Sequence, residues 1–385
     1  MRRRIPQLGT KFYDIDAGLH TMVVQAGQDI QSALDSVAIT GGKVFLKNGF
    51  HSVSSNITMY SNVIIEGETT FGTIIDFGGG PYSFIIQGST AYETGTVSVT
   101  KGSTIVVGSG TTWDNSMIGE YVLIDGDYYY ISDINTTSQQ LILSSGFSGQ
   151  TQSGLSYTIT NPINGVGVRN LTVQNSSAQL FIVKYYFLVL FENVDCGFAD
   201  IGFDVQNGTG LLLVRVDIGN MRIGLYFNKS FAYSLDNFFV YNCSSNGIEA
   251  SNGGDSTILN FGVSNCGGKG IKMVNESKVG FLSFTISDNT SDGVELNAGC
   301  SKHSFIGGVI ESNGASGIKI TATSDNNIVN SVQIMDNVSY GIQIANANCD
   351  NNIIVSNILS NNTAGSVSNS GTGTKIRSNI GVSDN

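Results

Sequence analysis

Asp204 and Glu249, with Tyr226 midway between them, are the residues whose types and spacing point to chemistry. All three fall at one place in a recurring four-residue phrase: GFDV from Gly202, GLYF from Gly224 and GIEA from Gly247. If each phrase opens one coil of a solenoid, the two acids stand two coils apart, about 9.6 Å at the usual strand spacing. Carboxyls roughly 6.5–9.5 Å apart leave room for a water between an acid and a base, as inverting displacement at a sugar carbon requires. The tyrosine between them offers a ring on which a sugar stacks. Arg215 and Asp217 precede the GLYF phrase on a neighbouring strand and are expected to reach the same groove. Tyr241 closes the run Phe238-Phe239-Val240-Tyr241, whose alternation predicts one exposed pair. The catalytic candidates are therefore Asp204 and Glu249. The substrate-binding candidates are Tyr226, Arg215, Asp217 and Tyr241.

The frame that positions them is legible as a period. Gly202, Gly224, Gly247, Gly270, Gly293, Gly317 and Gly341 recur at steps of 22, 23, 23, 23, 24 and 24 residues. Asn220, Asn242, Asn265, Asn289, Asn313, Asn337 and Asn361 form a second ladder at nearly the same steps. Two registers locked to one period mean a solenoid with one coil per repeat. Within each phrase apolar and polar residues alternate, as in Ile248-Glu249-Ala250, which is a strand period. Two further short apolar runs per repeat make three strands per coil, a parallel β-helix. Asparagine is expected at left-handed corners, its amide bonding to the next coil, and glycine is expected to free the backbone at the following corner. The outward column Asp204, Tyr226, Glu249, Lys272, Glu295, Lys319 and Gln343 alternates acid and base in its lower half, which predicts ion pairs along the column.

The ends and one insertion depart from the period. Residues Asp29 to Val37 read as an amphipathic helix of about two turns, a cap for the open end of the coil. The stretch QDIQSALDSVAITGGKVFLKNGFHSVSSNITMYSNVIIEGE resembles the opening of the pectate lyase superfamily. That resemblance implies an all-β, right-handed, single-stranded parallel β-helix. The superfamily spans lyases, hydrolases, epimerases, phage tailspikes and non-catalytic binders. Residues 92–160 break the period, with short strands and an Asp125-Gly126 hairpin turn. Their GTVSVTKGSTIVVGSGTTW segment resembles a small β module inserted in phage tail proteins, and they read as an antiparallel surface subdomain. The chain thus divides into residues 1–91 (cap helix and first coils), 92–160 (insertion) and 161–385 (main β-helix and tail).

Composition narrows the partners. A net charge of −11 and the lack of a basic face exclude nucleic acid as an expected partner. The Met1-Arg2-Arg3-Arg4 run is a solvated terminus, and no apolar run suits a membrane span or a signal-peptide core. Five widely spaced cysteines and three scattered histidines suggest buried thiols, with no disulfide framework, metal or cofactor. Lyases of the resembled superfamily use an acidic calcium cage with an Arg or Lys base. No local run of three acids is visible, Arg215 and Arg222 lack such a cage, and no catalytic residue carries over. The expected partner is a polysaccharide or other glycan. The expected setting is a virion or the extracellular space. A homotrimer is what tailspike resemblance raises, although no trimerising β-prism or coiled-coil stretch is seen. Three readings stand: a tailspike-like module that recognises host-surface polysaccharide, with or without cleaving it, a hydrolase or lyase on the same fold, and a scaffold without a ligand.

Overall fold

The computed structural model describes residues 20–381; the N-terminal arginine run lies outside them. Asp29 caps helix α1 (Ile30–Val37), its carboxylate accepting the N–H groups of Gln31 and Ser32. The capped helix turns Ile30, Ala33, Leu34 and Val37 onto the end of the coil. Parallel pairing then runs from Thr21–Val24 against Gly42–Leu46 down to Ile353–Val355 against Lys375–Arg377. In the coil spanning residues 211–231, strands 211–214, 216–219 and 225–228 lie on three faces, labelled A, B and C. Alternation puts every second side chain into the bore. Ile248, Ile271, Val294, Ile318 and Ile342 pair in one register and are fully buried. Aromatic rings fill wider coils, as where Phe281 stacks on Phe305 at 4.4 Å.

The corners correct two expectations. The recurring glycines from Gly224 to Gly341 are not left-handed; their freedom is spatial. A Cβ on Gly247 would meet Val263 Cγ1 at 2.5 Å and the Gly270 carbonyl at 2.8 Å, and Gly270 and Gly293 are crowded in the same way. The asparagine ladder is in fact two ladders. Asn220, Asn242 and Asn265 hold positive φ at the exposed corner between faces B and C, with amides bonded coil to coil. From Asn289 the column shifts inward by one residue. Asn289, Asn313 and Asn337 are buried and bond in series, each Nδ2 donating to the next Oδ1 at 2.9 Å, while Asp288, Ser312 and Asp336 take the left-handed corner. The 24-residue step after Asn265 is this shift. Upstream of it the inner column holds Cys243 and Cys266, and Cys266 N–H donates to Asn289.

One buried corner carries ionisable groups. Glu276 is fully buried; its Oε1 accepts the Gly253 N–H, and Oε2 has no hydrogen-bond partner among the described residues. Burial pushes its carboxyl from the ordinary 4.5 up to about 8. His303, also buried, accepts Val279 N–H at Nδ1, so Nε2 donates to the Glu276 carbonyl at 3.1 Å. Burial holds it neutral, with its pKa pushed down to about 4.

The insertion is an eight-stranded antiparallel sheet from Ser89–Tyr92 to Tyr157–Asn161. Asp125 and Gly126, both at positive φ, turn the hairpin between Tyr121–Ile124 and Asp127–Asn135. The sheet has its own core around Trp113, whose indole donates to Tyr157. Tyr128 seats it on the β-helix, donating to the Asn207 carbonyl and packing edge-on against Phe187.

Candidate functional site

The six candidate residues divide between two faces. Asp204, Tyr226 and Glu249 lie on face C, where Tyr226 pairs in register with Glu249 and Ile182 with Asp204. Arg215, Asp217 and Tyr241 belong to face B and its edge, where Asp217 pairs with Phe239 and Gly219 with Tyr241. The tyrosines register the separation. Burial raises the Tyr226 phenol pKa, with Asp204 and Glu249 adding to it. Burial likewise raises Tyr241, but there the added charges are Asp195 and Asp217. The residues expected in one groove therefore lie on two faces, because a left-handed corner at Asn220 turns the chain between them.

On face C, Asp204 is committed to neighbours. It is 4% exposed; Lys184 Nζ sits 3.2 Å from Oδ2, and Gln206 Nε2 donates to Oδ1 at 2.6 Å. Glu249 accepts a hydrogen bond from the Asn246 amide. The alternating column below lines up in register, Glu249 to Lys272 to Glu295 to Lys319. Among the described residues no ion pair closes along it. Glu295 instead reaches Lys269 at 3.1 Å, a residue of the adjoining corner. The side chains lean sideways to the nearer partner.

Face B carries an acid pair that the phrase-based reading passed over. Asp195 is 22 residues before Asp217, one coil up the same column, below Thr172 and above Phe239. Burial raises the Asp195 carboxyl, the Asp217 charge raises it further, and the Thr172 hydroxyl offsets part of this. Burial also raises Asp217. Neither has an ion-pair partner among the described residues. Two half-buried carboxyls about 4.8 Å apart by coil spacing oppose each other's ionisation. Tyr241 lies flat over Gly219, where a Cβ would meet its ring at 2.4 Å, and Phe239 is 51% exposed one coil below Asp217. The outward-facing pair is thus Phe239, exposed, and Tyr241, half-buried, with Phe238 and Val240 inside. The signal for Asp195 was available: the same 22-residue step that aligns the glycines aligns the two aspartates.

Arg215 stands at the corner of faces A and B with φ +53°, in the column held elsewhere by Asn193, Asn237 and Asn260. A long residue in the left-handed region costs about 1–2 kcal/mol. Its guanidinium donates Nε to Asn193 Oδ1 and Nη2 to Glu192 Oε1, which offsets that strain. Arg222, at the other edge of the face, pairs in two-pronged fashion with Asp200 at 2.7 and 3.0 Å. No cluster of three or more His, Cys, Asp or Glu suited to a metal occurs among the described residues. All five cysteines are free and buried.

A family model described as right handed beta helix region matches residues 153–332 and 223–381, together more than half the chain. No curated protein sequence matches. Among solved structures, the A-module of mannuronan C-5 epimerase AlgE6 from Azotobacter vinelandii shares 15% identity at a TM-score of 0.62, covering 92% of this chain and 95% of that one. Tailspike protein gp49 from Pseudomonas phage LKA1 gives 11% and 0.59, covering 91% and 74%. The catalytic unit of a GH87 α-1,3-glucanase from Streptomyces thermodiastaticus gives 11% and 0.55, covering 94% and 68%. Likeness at this level of identity speaks to the fold.

Proposed function

The chain belongs to the right-handed β-helix family, and on that premise we propose that it recognises a polysaccharide on face B and hydrolyses it with Asp195 and Asp217. The observation that carries this is the adjacent pair of half-buried, raised carboxyls with two outward aromatic rings on the strand below. The protonated member gives its proton to the glycosidic oxygen. The ionised member attacks the sugar carbon from the opposite side, and water then releases the glycosyl group. Coil spacing of about 4.8 Å suits the roughly 5–5.5 Å separation of such retaining pairs. Tyr241 and Phe239, both on the strand below, provide stacking surfaces next to the pair. Arg215, locked by Glu192 and Asn193, shapes the rim. The solved neighbours support a glycan partner in kind, since they are an epimerase of mannuronan, a phage tailspike and a glucanase. The setting that fits this reading is an extracellular or virion-borne protein acting on a cell-surface glycan. A homotrimer belongs to its tailspike form, and light scattering of the purified chain checks it.

The test is a polysaccharide digestion followed by mass spectrometry and anomeric NMR. Shortened oligosaccharides with retained configuration, lost in Asp217→Asn, are the expected result. Binding without any cleavage sinks the hydrolase step. A second reading rests on Tyr226, whose phenol sits between Asp204 and Glu249. In it those acids, two coils apart, act as an inverting pair. Inverted products, together with activity that survives Asp217→Asn and fails in Glu249→Gln, would select it.

A further inference from the structure

We infer that the groove continuing face B below the acid pair takes an uncharged polysaccharide strand laid along the helix axis. This deepens, and rests on, the glycan reading above. The column under Asp195 and Asp217 runs through Phe239, Gly262, Thr285, Val309 and Gln333, each paired with the next. Beside it opens a cavity of about 450 Å³, lined by Phe239 at one end and Gln333 at the other. From Phe239 to Gln333 is four coil steps, about 19 Å. The groove is therefore long and parallel to the axis, a shape for a polymer.

Its chemistry is uncharged throughout. Ser283, Thr285, Ser331 and Gln333 supply hydroxyl and amide groups, and no lining residue is an acid or a base. Glycines lay the aromatic rings flat: a Cβ on Gly262 would meet the Phe239 ring at 2.6 Å, and one on Gly308 the Phe284 ring at 2.5 Å. Phe239 is the ring left open to solvent. A flat ring beside neutral hydrogen-bonding groups fits sugar faces and hydroxyls. The nearby cation, Arg215, already donates to Glu192 and Asn193. A strand of uronic acids entering this groove would bring its carboxylates toward Asp195 and Asp217, on a chain of net charge −11. Like charges so placed act against binding and against encounter.

The experiment is affinity electrophoresis and calorimetry of the full chain with neutral polymers (glucans and galactomannans) and acidic ones (polygalacturonate and alginate). The expected result is binding of a neutral polymer, nearly independent of salt, weakened tenfold or more by Phe239→Ala. Thr285→Lys, which sets a cation in the groove, should gain affinity for the acidic polymers. Tighter binding of a polyuronate, lost in Phe239→Ala, would overturn the charge class while leaving the glycan reading standing. Loss in Tyr226→Ala with Phe239→Ala unchanged would overturn the location. If no polymer of either class binds, the glycan reading itself falls and this inference with it. Circular dichroism of Phe239→Ala separates misfolding from lost contact, and Thr285→Lys remains an independent probe.

Discussion

On face B, Asp195 and Asp217 stand one coil apart, half-buried and without an ion-pair partner among the described residues; on face C, Asp204 is held between Lys184 and Gln206. Each face also presents a half-buried tyrosine beside two acids. The backbones are equivalent, and the difference lies in what compensates the carboxylates. A cation at 3.2 Å and an amide at 2.6 Å hold the Asp204 carboxylate in place, which suits a structural load. Burial raises both face B acids above the ordinary carboxyl value, and at Asp195 the Asp217 charge adds to it. On a solenoid surface, where acids recur by repetition, compensation discriminates better than presence.

The sharpest way to break this comparison is to neutralise one acid on each face. Asp217→Asn or Asp195→Asn should lower cleavage by about 10²–10⁴-fold while binding persists. Asp204→Asn should leave cleavage within a fewfold of wild type. Equal losses on both faces, read from product formation, would erase the distinction. The second way separates burial from like-charge repulsion, using Glu276 as an acid raised by burial alone. Its folded carboxyl, near 8, keeps a proton that the unfolded chain releases near 4.5, so its contribution is full below about pH 4.5 and is lost as pH climbs to about 8. Glu276→Gln should flatten that slope, raising the melting temperature by a few degrees at pH 8.5 relative to wild type and changing it little at pH 4. An unchanged slope would mean that Glu276 is solvated in the fold.

Smaller effects refine the face C assignment. Asp204→Asn removes a charge-assisted contact to Lys184 and should cost about 1–3 kcal/mol, read by denaturant melts. If stability is unchanged, the ion pair carries no load. The smallest expected effect concerns the coupling on face B. With Asp217 neutralised, Asp195 loses a like charge and its pKa falls toward the ordinary value, although burial still holds it up. Carbon-detected NMR of Asp195 in Asp217→Asn should show that downward shift, whereas Asp204→Asn should leave the Asp195 titration in place.

Much of the architecture was written in period alone. Ile248, Ile271, Ile318 and Ile342 stack where the alternation put them, and Asp29 begins the capping helix where the apolar spacing starts. A solenoid repeats one set of local contacts, so a single register error would expose a whole column, and the pattern cannot drift. The reasons behind the columns were less legible. Glycine and asparagine have two uses each, and only packing shows that Gly247 avoids a carbonyl or that Asn289 has moved inside.

The sequence by itself determined the parallel β-helix, its cap and its antiparallel insertion, because these follow from spacing along the chain. Only the tertiary structure decided that Asp217 and Tyr241 share a face with Asp195 and Phe239, apart from Asp204 and Glu249. That division depends on the corner at Asn220 and on side chains such as Lys184, Gln206 and Lys269 reaching sideways. Charge compensation is a matter of a few ångströms between neighbouring strands, and residue spacing along the chain does not carry that distance.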